Sequence, residues 1–416
     1  MSIFVTKTIE EVTETLIDYR GKTPRKTDSG IKLITAKIIK NGYVQKGNYE
    51  YISEETYLTH MRRGFPESGD ILITTEAPLG EVAQLNFKEK IALAQRVILL
   101  RGNTNIINQK YYLFALQSPF VQGRLYSRAT GTTVLGIKQT ELRQVEIPLP
   151  PLPTQRKIAG ILSAYDDLIE NNTRRIEILE EMARMLYREW FVKFRFPVDD
   201  ADGNDGDRLF NPPSNTEKNN QVELVESELG LIPKGWKVGR LDDALILQRG
   251  FDLPKSKRKE GNIPIYAATG IVGTHNQFKI KAPCVITGRS GSLGTVLYIN
   301  EDFWALNTTL WVKEFKRVTP IYAFYLLDSL GLAQYNSGAA VPTLNRNNIH
   351  GLSVIIPDQK ILKKFDEHIS LLFLQKRNLQ EKNINLRKTR DLLLPRLISG
   401  EIDVEDLDIN TGEIDP

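Results

Sequence analysis

The sequence predicts an α+β fold made of one module written twice, each copy a β-rich region of mixed structure that ends in a long helix. Three observations predict it: an internal repeat at a fixed offset, strand-like runs punctuated by Gly and Thr in each copy, and an apolar heptad closing each copy. At 416 residues the chain also exceeds what one core usually serves, so length favours two or three domains.

The repeat is read at an offset of 207 residues, which lays Gly131-Thr-Thr-Val-Leu-Gly-Ile137 on Gly338-Ala-Ala-Val-Pro-Thr-Leu344. Downstream, Leu142, Val145, Ile147 and Pro150 fall on Ile349, Leu352, Val354 and Pro357, and Leu179 and Leu186 fall on Leu386 and Leu393, with no gap. Upstream the offset drifts, as loops of unequal length require, yet Arg20-Gly21 with Pro24 resembles Arg249-Gly250 with Pro254, and Leu79-Gly80 resembles Leu293-Gly294.

Each copy then has the same plan. Strand-like runs such as Asp70-Ile-Leu-Ile-Thr-Thr75 and Ala282-Pro-Cys-Val-Ile-Thr-Gly288 precede a short apolar helix, around Tyr111 to Leu116 or Ile321 to Leu327. The long helix follows. Pro148, Pro150, Pro151 and Pro153 bar helix before it, which makes Thr154 the expected N-cap.

From there apolar residues step by four and three: Ile158, Leu162, Tyr165, Ile169, Asn172, Ile176, Leu179, Ala183, Leu186, Trp190. The second copy repeats the seam as Phe365, Ile369, Leu372, Lys376, Leu379, Asn383, Leu386, Arg390, Leu393, Leu397. Heptads of this length argue for a helix pair, each helix roughly 55 Å long. The alternative is two amphipathic helices lying on separate cores. The polar seam residues Asn172 and Asn383 either fix the register of one helix against the other or mark the least buried points of a loose bundle.

Composition is that of an ordinary globular protein, 41% apolar and 25% charged. A lone cysteine, Cys284, excludes an internal disulfide and fits a reducing cytoplasm. No apolar run approaches the roughly 18 residues of a membrane helix, and the start MSIFVTKTIEEV lacks signal-peptide character, so no membrane role is expected. Charge divides unevenly. Residues 1–150 carry 20 Lys and Arg against 15 Asp and Glu, and residues 231–356 carry 15 against 8, whereas residues 200–230 carry 2 against 8 and residues 401–416 carry 7 acids and no base. Two basic blocks between acidic connectors point to a polyanion; the competing reading is random scatter on a solvated surface.

The doubled plan, together with Arg20-Gly-Lys-Thr-Pro24, Ile147-Pro-Leu-Pro-Pro-Leu-Pro-Thr-Gln155, Leu229-Gly-Leu-Ile-Pro-Lys-Gly-Trp236 and Leu392-Leu-Leu-Pro-Arg-Leu-Ile-Ser-Gly-Glu-Ile402, resembles the specificity subunit of type I restriction-modification systems. The likeness covers nearly the whole chain, and the last two phrases are the most specific. The second spacer departs from the pattern, starting Ile355-Ile-Pro-Asp358 with fewer prolines than the first.

The resemblance implies target-recognition domains at residues 1–150 and 231–356, a central spacer helix at 151–199, an acidic linker at 200–230, a C-terminal spacer helix at 357–400 and an acidic tail at 401–416. It further implies antiparallel helices forming a coiled coil, with the repeats in a pseudo-two-fold arrangement. Double-stranded DNA would be read in two halves, while two modification subunits methylate adenine and restriction subunits cleave. This chain would bind no cofactor of its own: S-adenosylmethionine belongs to the modification subunit, ATP and Mg to the restriction subunit.

Base readout needs Arg or Lys towards guanine and Asn or Gln towards adenine, and further cations towards phosphate. The DNA-binding candidates are Arg20, Lys22, Arg25, Lys26, Arg124 and Arg128 in the first copy, and Arg249, Lys255, Lys257, Arg258, Lys259 and Arg289 in the second. For any one of them an exposed charge without a role is an equal reading.

No catalytic constellation is found. Asn211-Pro-Pro-Ser214 resembles an adenine-methyltransferase signature but ends in Ser within a polar linker; Gly288 to Gly294 is neither a P-loop nor a nucleophile elbow and reads as a flexible turn. Asp302 with Glu314-Phe-Lys316 has the look of a metal-dependent nuclease triad inside a strand pattern, and His60, His275, His350 and His368 lack metal spacing. Two competing classes stay open: an enzyme with an unrecognised motif, and a helix-paired scaffold that binds protein rather than DNA and so would show no salt-dependent DNA affinity.

Overall fold

The computed structural model describes residues 4–19, 23–40, 42–47, 49–87, 89–197, 222–338 and 340–409. Two compact units emerge, one of residues 1–173 with 380–416, the other of residues 174–379.

In the first unit a four-stranded antiparallel sheet runs in the order Thr13–Asp18, Val97–Gly102, Ile71–Thr75, Leu79–Gln84. The run Ile71 to Thr75 is buried at every residue because the sheet is covered on both faces. Ile71, Ile73, Ile98 and Leu100 face a core shared with the helices Gln109–Gln117 and Pro119–Ser127. Leu72, Val97 and Leu99 alternate to a second core, against a sheet ordered Ile91–Leu93, Ile31–Ile34, Glu50–Ile52, Lys26–Thr27. Each helix start is capped: the Asn108 side chain accepts from the Tyr111 amide and Ser118 from the Val121 amide, with Pro119 in the first turn.

The second unit repeats the plan. Its four-stranded sheet runs Leu245–Arg249, Thr309–Phe315, Cys284–Gly288, Val296–Ile299, again antiparallel throughout. Val285 enters the main core with the helix Pro320–Ser329, while Cys284 and Ile286 face a separate cluster around Phe303. Past the sheets the correspondence is residue for residue at the 207 offset: helix Gln139–Arg143, strand Glu146–Leu149 and the helix from Leu152 match helix Arg346–His350, strand Ser353–Ile356 and the helix from Gln359.

The long helices span Leu152–Tyr187, extended by a π-turn at Arg188–Val192, and Gln359–Ile398. The boundary between the units falls inside both. In the first unit, partners fall from Arg390 to Asn383 as numbers rise from Asp166 to Asn172, so the helices run antiparallel. In the second unit Glu180 pairs with Lys376 at 2.7 Å and Trp190 packs on Phe365, the same sense. Ile158, Leu162, Ile169, Leu186, Trp190, Phe365, Ile369, Leu379 and Leu397 are buried; Ile176, Leu179, Leu372, Leu386 and Leu393 are half-buried.

Three expectations need correction. The first long helix begins at Leu152, not after a Thr154 cap, because a proline such as Pro153 is tolerated in the first turn, where its missing amide has no partner to lose. The expected linker at 200–230 lies outside the described residues up to 221, but its end is a hairpin, Leu224–Ser227 with Gly230–Pro233, that leads to Trp236 packed among Phe191, Phe194 and Phe196. The start of the acidic tail is also structured. Val404 is buried, Ile402 and Ile409 lie against the first unit's core, and Lys157 donates to the Glu405 carbonyl at 2.6 Å. Acid-rich composition masked these apolar residues.

Candidate nucleic-acid interface

Arg20 and Lys22 lie outside the described residues. Of the other first-unit candidates, three are already engaged by carboxylates: Lys26 with Glu50 at 2.8 Å, Arg124 with Glu146 at 3.0 Å and Arg128 with Glu141 at 3.0 Å. Arg124 also lies over the Phe120 ring at 4.1 Å. Arg25 is exposed and has no ion pair among the described residues.

The second unit presents its cations differently. A 3-10 turn at Lys255–Lys257 follows Pro254, and Arg258 clips it down by donating to the Val272 carbonyl at 3.2 Å. The Lys259 amide donates to Nδ1 of buried His275 at 3.0 Å, which fixes the strand-side end of the loop. Lys255, Lys257 and Lys259 thereby project from a pinned backbone, exposed and without an ion pair among the described residues. Arg249 faces Asp252 at 3.5 Å, and half-buried Arg289 donates to the Asn307 carbonyl at 3.3 Å. An unpaired ammonium cluster on a pinned backbone suits phosphate, whereas an arginine already held by a carboxylate gives up that partner to bind DNA.

The segment 288–294 is tied down rather than loose. The Arg289 and Ser290 amides donate to the Thr308 carbonyl at 2.8 and 3.1 Å, and the Gly291 amide to the Pro342 carbonyl at 2.9 Å. In the first unit the glycine turn Gly131 to Ile137, the counterpart of Gly338 to Leu344, borders a cleft of about 470 Å³ lined by Thr75, Glu76, Gln95, Arg96, Thr130 and Lys138 among others. None of these was a sequence candidate. The signal in the sequence is the Gly131 to Ile137 repeat, which lines up with Gly338 to Leu344 and borders this cleft.

The residues that looked catalytic have other partners. Asp302 accepts from the Ala282 amide at 3.0 Å, and Lys316 donates to the Asp242 carbonyl at 2.8 Å. His60 contacts the Leu93 carbonyl at 3.0 Å, His350 accepts from the Leu247 amide at 3.0 Å, and His368 meets the Trp190 ring edge-on. Burial lowers the His350 pKa, which keeps the accepting nitrogen unprotonated. Among the described residues no three His, Cys, Asp or Glu side chains form a metal-binding group. Asn211 to Ser214 lies outside the described residues. Among the described residues no helix is long and apolar enough to cross a membrane.

Both units are thus sheet-and-helix modules of one plan that display cations and hydrogen-bonding side chains. Residues 1–181 and 233–382 match the family model described as type I restriction modification DNA specificity domain, and the chain belongs to that family. The MjaIX specificity subunit of Methanocaldococcus jannaschii is 30% identical over 394 residues, covering 86% of this chain and 85% of that one. The HindI specificity subunit of Haemophilus influenzae is 22% identical over 400 residues, covering 81% and 87%. In fold, the chain is similar to the crystal structure of an S subunit of a type I restriction-modification system from M. genitalium, at a TM-score of 0.54, 17% identity, and 95% and 96% coverage. The chain is thus a DNA-recognition subunit, not a catalytic one, and its partners are DNA and the other subunits of a type I complex.

Proposed function

We propose that each unit reads one half of a split DNA site in the cytoplasm, and that the paired helices set the unread gap between the halves. The observation that carries this is the duplicated module, with the same strand order in the main four-stranded sheet of both units and the same helix, strand and long helix after it. A helical turn of DNA repeats every ~34 Å, so two readers joined by stiff helices meet the duplex at a fixed spacing.

The same helices dock two modification subunits, which hold S-adenosylmethionine and methylate adenine; restriction subunits, with ATP and Mg, join them and cleave. Apolar side chains left in water on these helices support that docking: Leu168, Ile384 and Leu392 in the first unit, and Ile178, Leu371 and Leu374 in the second, are each half or more exposed.

The test is co-expression with the partner modification subunit in a methylation-free host, followed by mapping of modified bases. Methylated adenines within one motif of two short halves around a fixed gap are the expected result. A continuous motif refutes the two-reader arrangement, and no methylation from a folded, associated pair refutes DNA reading.

A further inference from the structure

The glycine turns that align the two copies build the same corner in both units. In the first, the Thr75 amide donates to the Arg96 carbonyl at 3.0 Å, the Ile137 amide to the Thr75 carbonyl at 3.0 Å, and Glu76 bridges Gly136. In the second, the Arg289 amide donates to the Thr308 carbonyl at 2.8 Å, the Leu344 amide to the Arg289 carbonyl at 2.8 Å, and Ser290 bridges Thr343. The turn itself closes alike: a Cβ on Gly131 would stand 2.1 Å from the Val134 carbonyl oxygen, and one on Gly338 would stand 2.1 Å from that of Val341. Only glycine fits either place.

This frame pairs positions that sequence alignment alone leaves adrift. Thr75 corresponds to Arg289 and Glu76 to Ser290; Gln95 and Arg96, which enter the central strand Val97–Gly102, correspond to Asn307 and Thr308, which enter Thr309–Phe315. The backbone is held constant while every side chain differs.

The types that differ are those that read base edges. Arginine is suited to guanine, Gln and Asn to adenine, Ser and Thr to either. Little else in the fold needs them. Arg96 and Glu76 form only a half-exposed pair at 3.4 Å, which contributes little and is readily exchanged for a base. The Thr308 hydroxyl is buried with no partner among the described residues. Asp252 accepts from the Asn307 amide nitrogen and so fixes its orientation in advance. Beside them the turn lifts apolar tips into solvent, Val134 and Leu135 in one unit and Val341 in the other, the chemistry that meets a thymine methyl.

We infer that this twin corner is the specificity-determining edge of each unit, with Gln95 and Arg96 selecting bases in one half-site and Arg289 and Asn307 in the other. The inference rests on the reading that each unit contacts its own half-site.

The test uses the full chain co-expressed with its modification subunit and mapped as above. Gln95→Ala with Arg96→Ala is expected to relax base preference roughly tenfold or more at one or two positions of one half, leaving the other half unchanged. Asn307→Ala with Arg289→Ala is expected to do the converse. Retained preference in both halves, or a uniform fall at all sites, overturns the inference. If the wild-type chain gives no split motif, the underlying reading fails instead. Where an alanine pair does not co-purify with the modification subunit, Gln95→Glu and Arg96→Lys decide: altered preference within one half supports the corner, and an unaltered motif overturns it.

Discussion

Asp366 packs beneath the N-terminus of the helix Pro320–Ser329, where the Thr319 hydroxyl donates to its carboxylate at 2.8 Å. Burial outweighs that bond and pushes the carboxyl up to about 6. An unfolded aspartate titrates near ~3.9, so the folded chain holds the extra proton between these values. The resulting stabilisation is present in full below ~4 and lost as pH rises through about 6. Asp366→Asn should therefore be more stable than wild type at pH ~7.5 by about 1–2 kcal/mol, allowing for screening of a half-buried group, and nearly equal at pH ~3.5. Urea melts at the two pH values check this; a gain of the same size at both would refute it. Among the cations, replacing Lys255, Lys257 and Lys259 together by Ala should weaken DNA binding by the whole complex and lower the salt slope by up to ~2.7, without changing the motif. An unchanged slope in salt titrations removes these lysines from the interface. The sequence showed where positive charge lies but not which cations are free, since Lys26, Arg124 and Arg128 meet carboxylates that only the fold brings to them.

At the level of the elements, the polar interruptions of the helix seam are matched to one another. The buried Asn172 amide donates to the side-chain oxygen of buried Asn383 at 2.9 Å, and Asn383 donates in turn to the Ile169 carbonyl at 3.3 Å and, at the edge of the layer, to the Thr173 hydroxyl at 3.2 Å. Arg390 pairs with Asp166 close by; burial raises the Asp166 pKa against the pull of the guanidinium, and burial, helped by the same carboxylate, pushes the Tyr43 hydroxyl up to about 12. Asn172→Leu leaves the Asn383 oxygen without its donor and should cost ~1–3 kcal/mol, whereas Asn172→Leu with Asn383→Leu should recover most of that loss. A double-mutant cycle by denaturant unfolding measures it, and additive losses would show that the two amides are not coupled. The seam was legible because a heptad is a local signal. The hairpin at Leu224–Pro233 was not, since four-residue strands inside an acid-rich run carry no periodicity to read.

For the whole molecule, the repeat is the strongest statement the sequence makes, and it holds without a gap wherever backbone geometry is constrained, from the glycine turn through the long helix. It blurs across the sheets, whose connecting loops differ in length, and there the equivalence of Gln95 and Asn307 is carried by backbone hydrogen bonds rather than by sequence. Exchanging residues 1–150 for the same region of a family member with another motif should change one half of the methylated site and leave the other half and the gap intact. Base mapping checks this, and a change in both halves would mean that the units do not read independently. The composition of the first unit has a further consequence, for how the protein is made. Its core is completed by Leu394, Leu397, Ile398 and Val404, which close over Ile158 and Leu162. The second unit, residues 174–379, is contiguous and encoded earlier than those residues. The ribosome thus finishes the second unit while the first, although begun earlier, still waits with an open apolar face for Leu394 to Val404 to emerge. A stop or frameshift between residues 380 and 394 should therefore damage the first unit before the second.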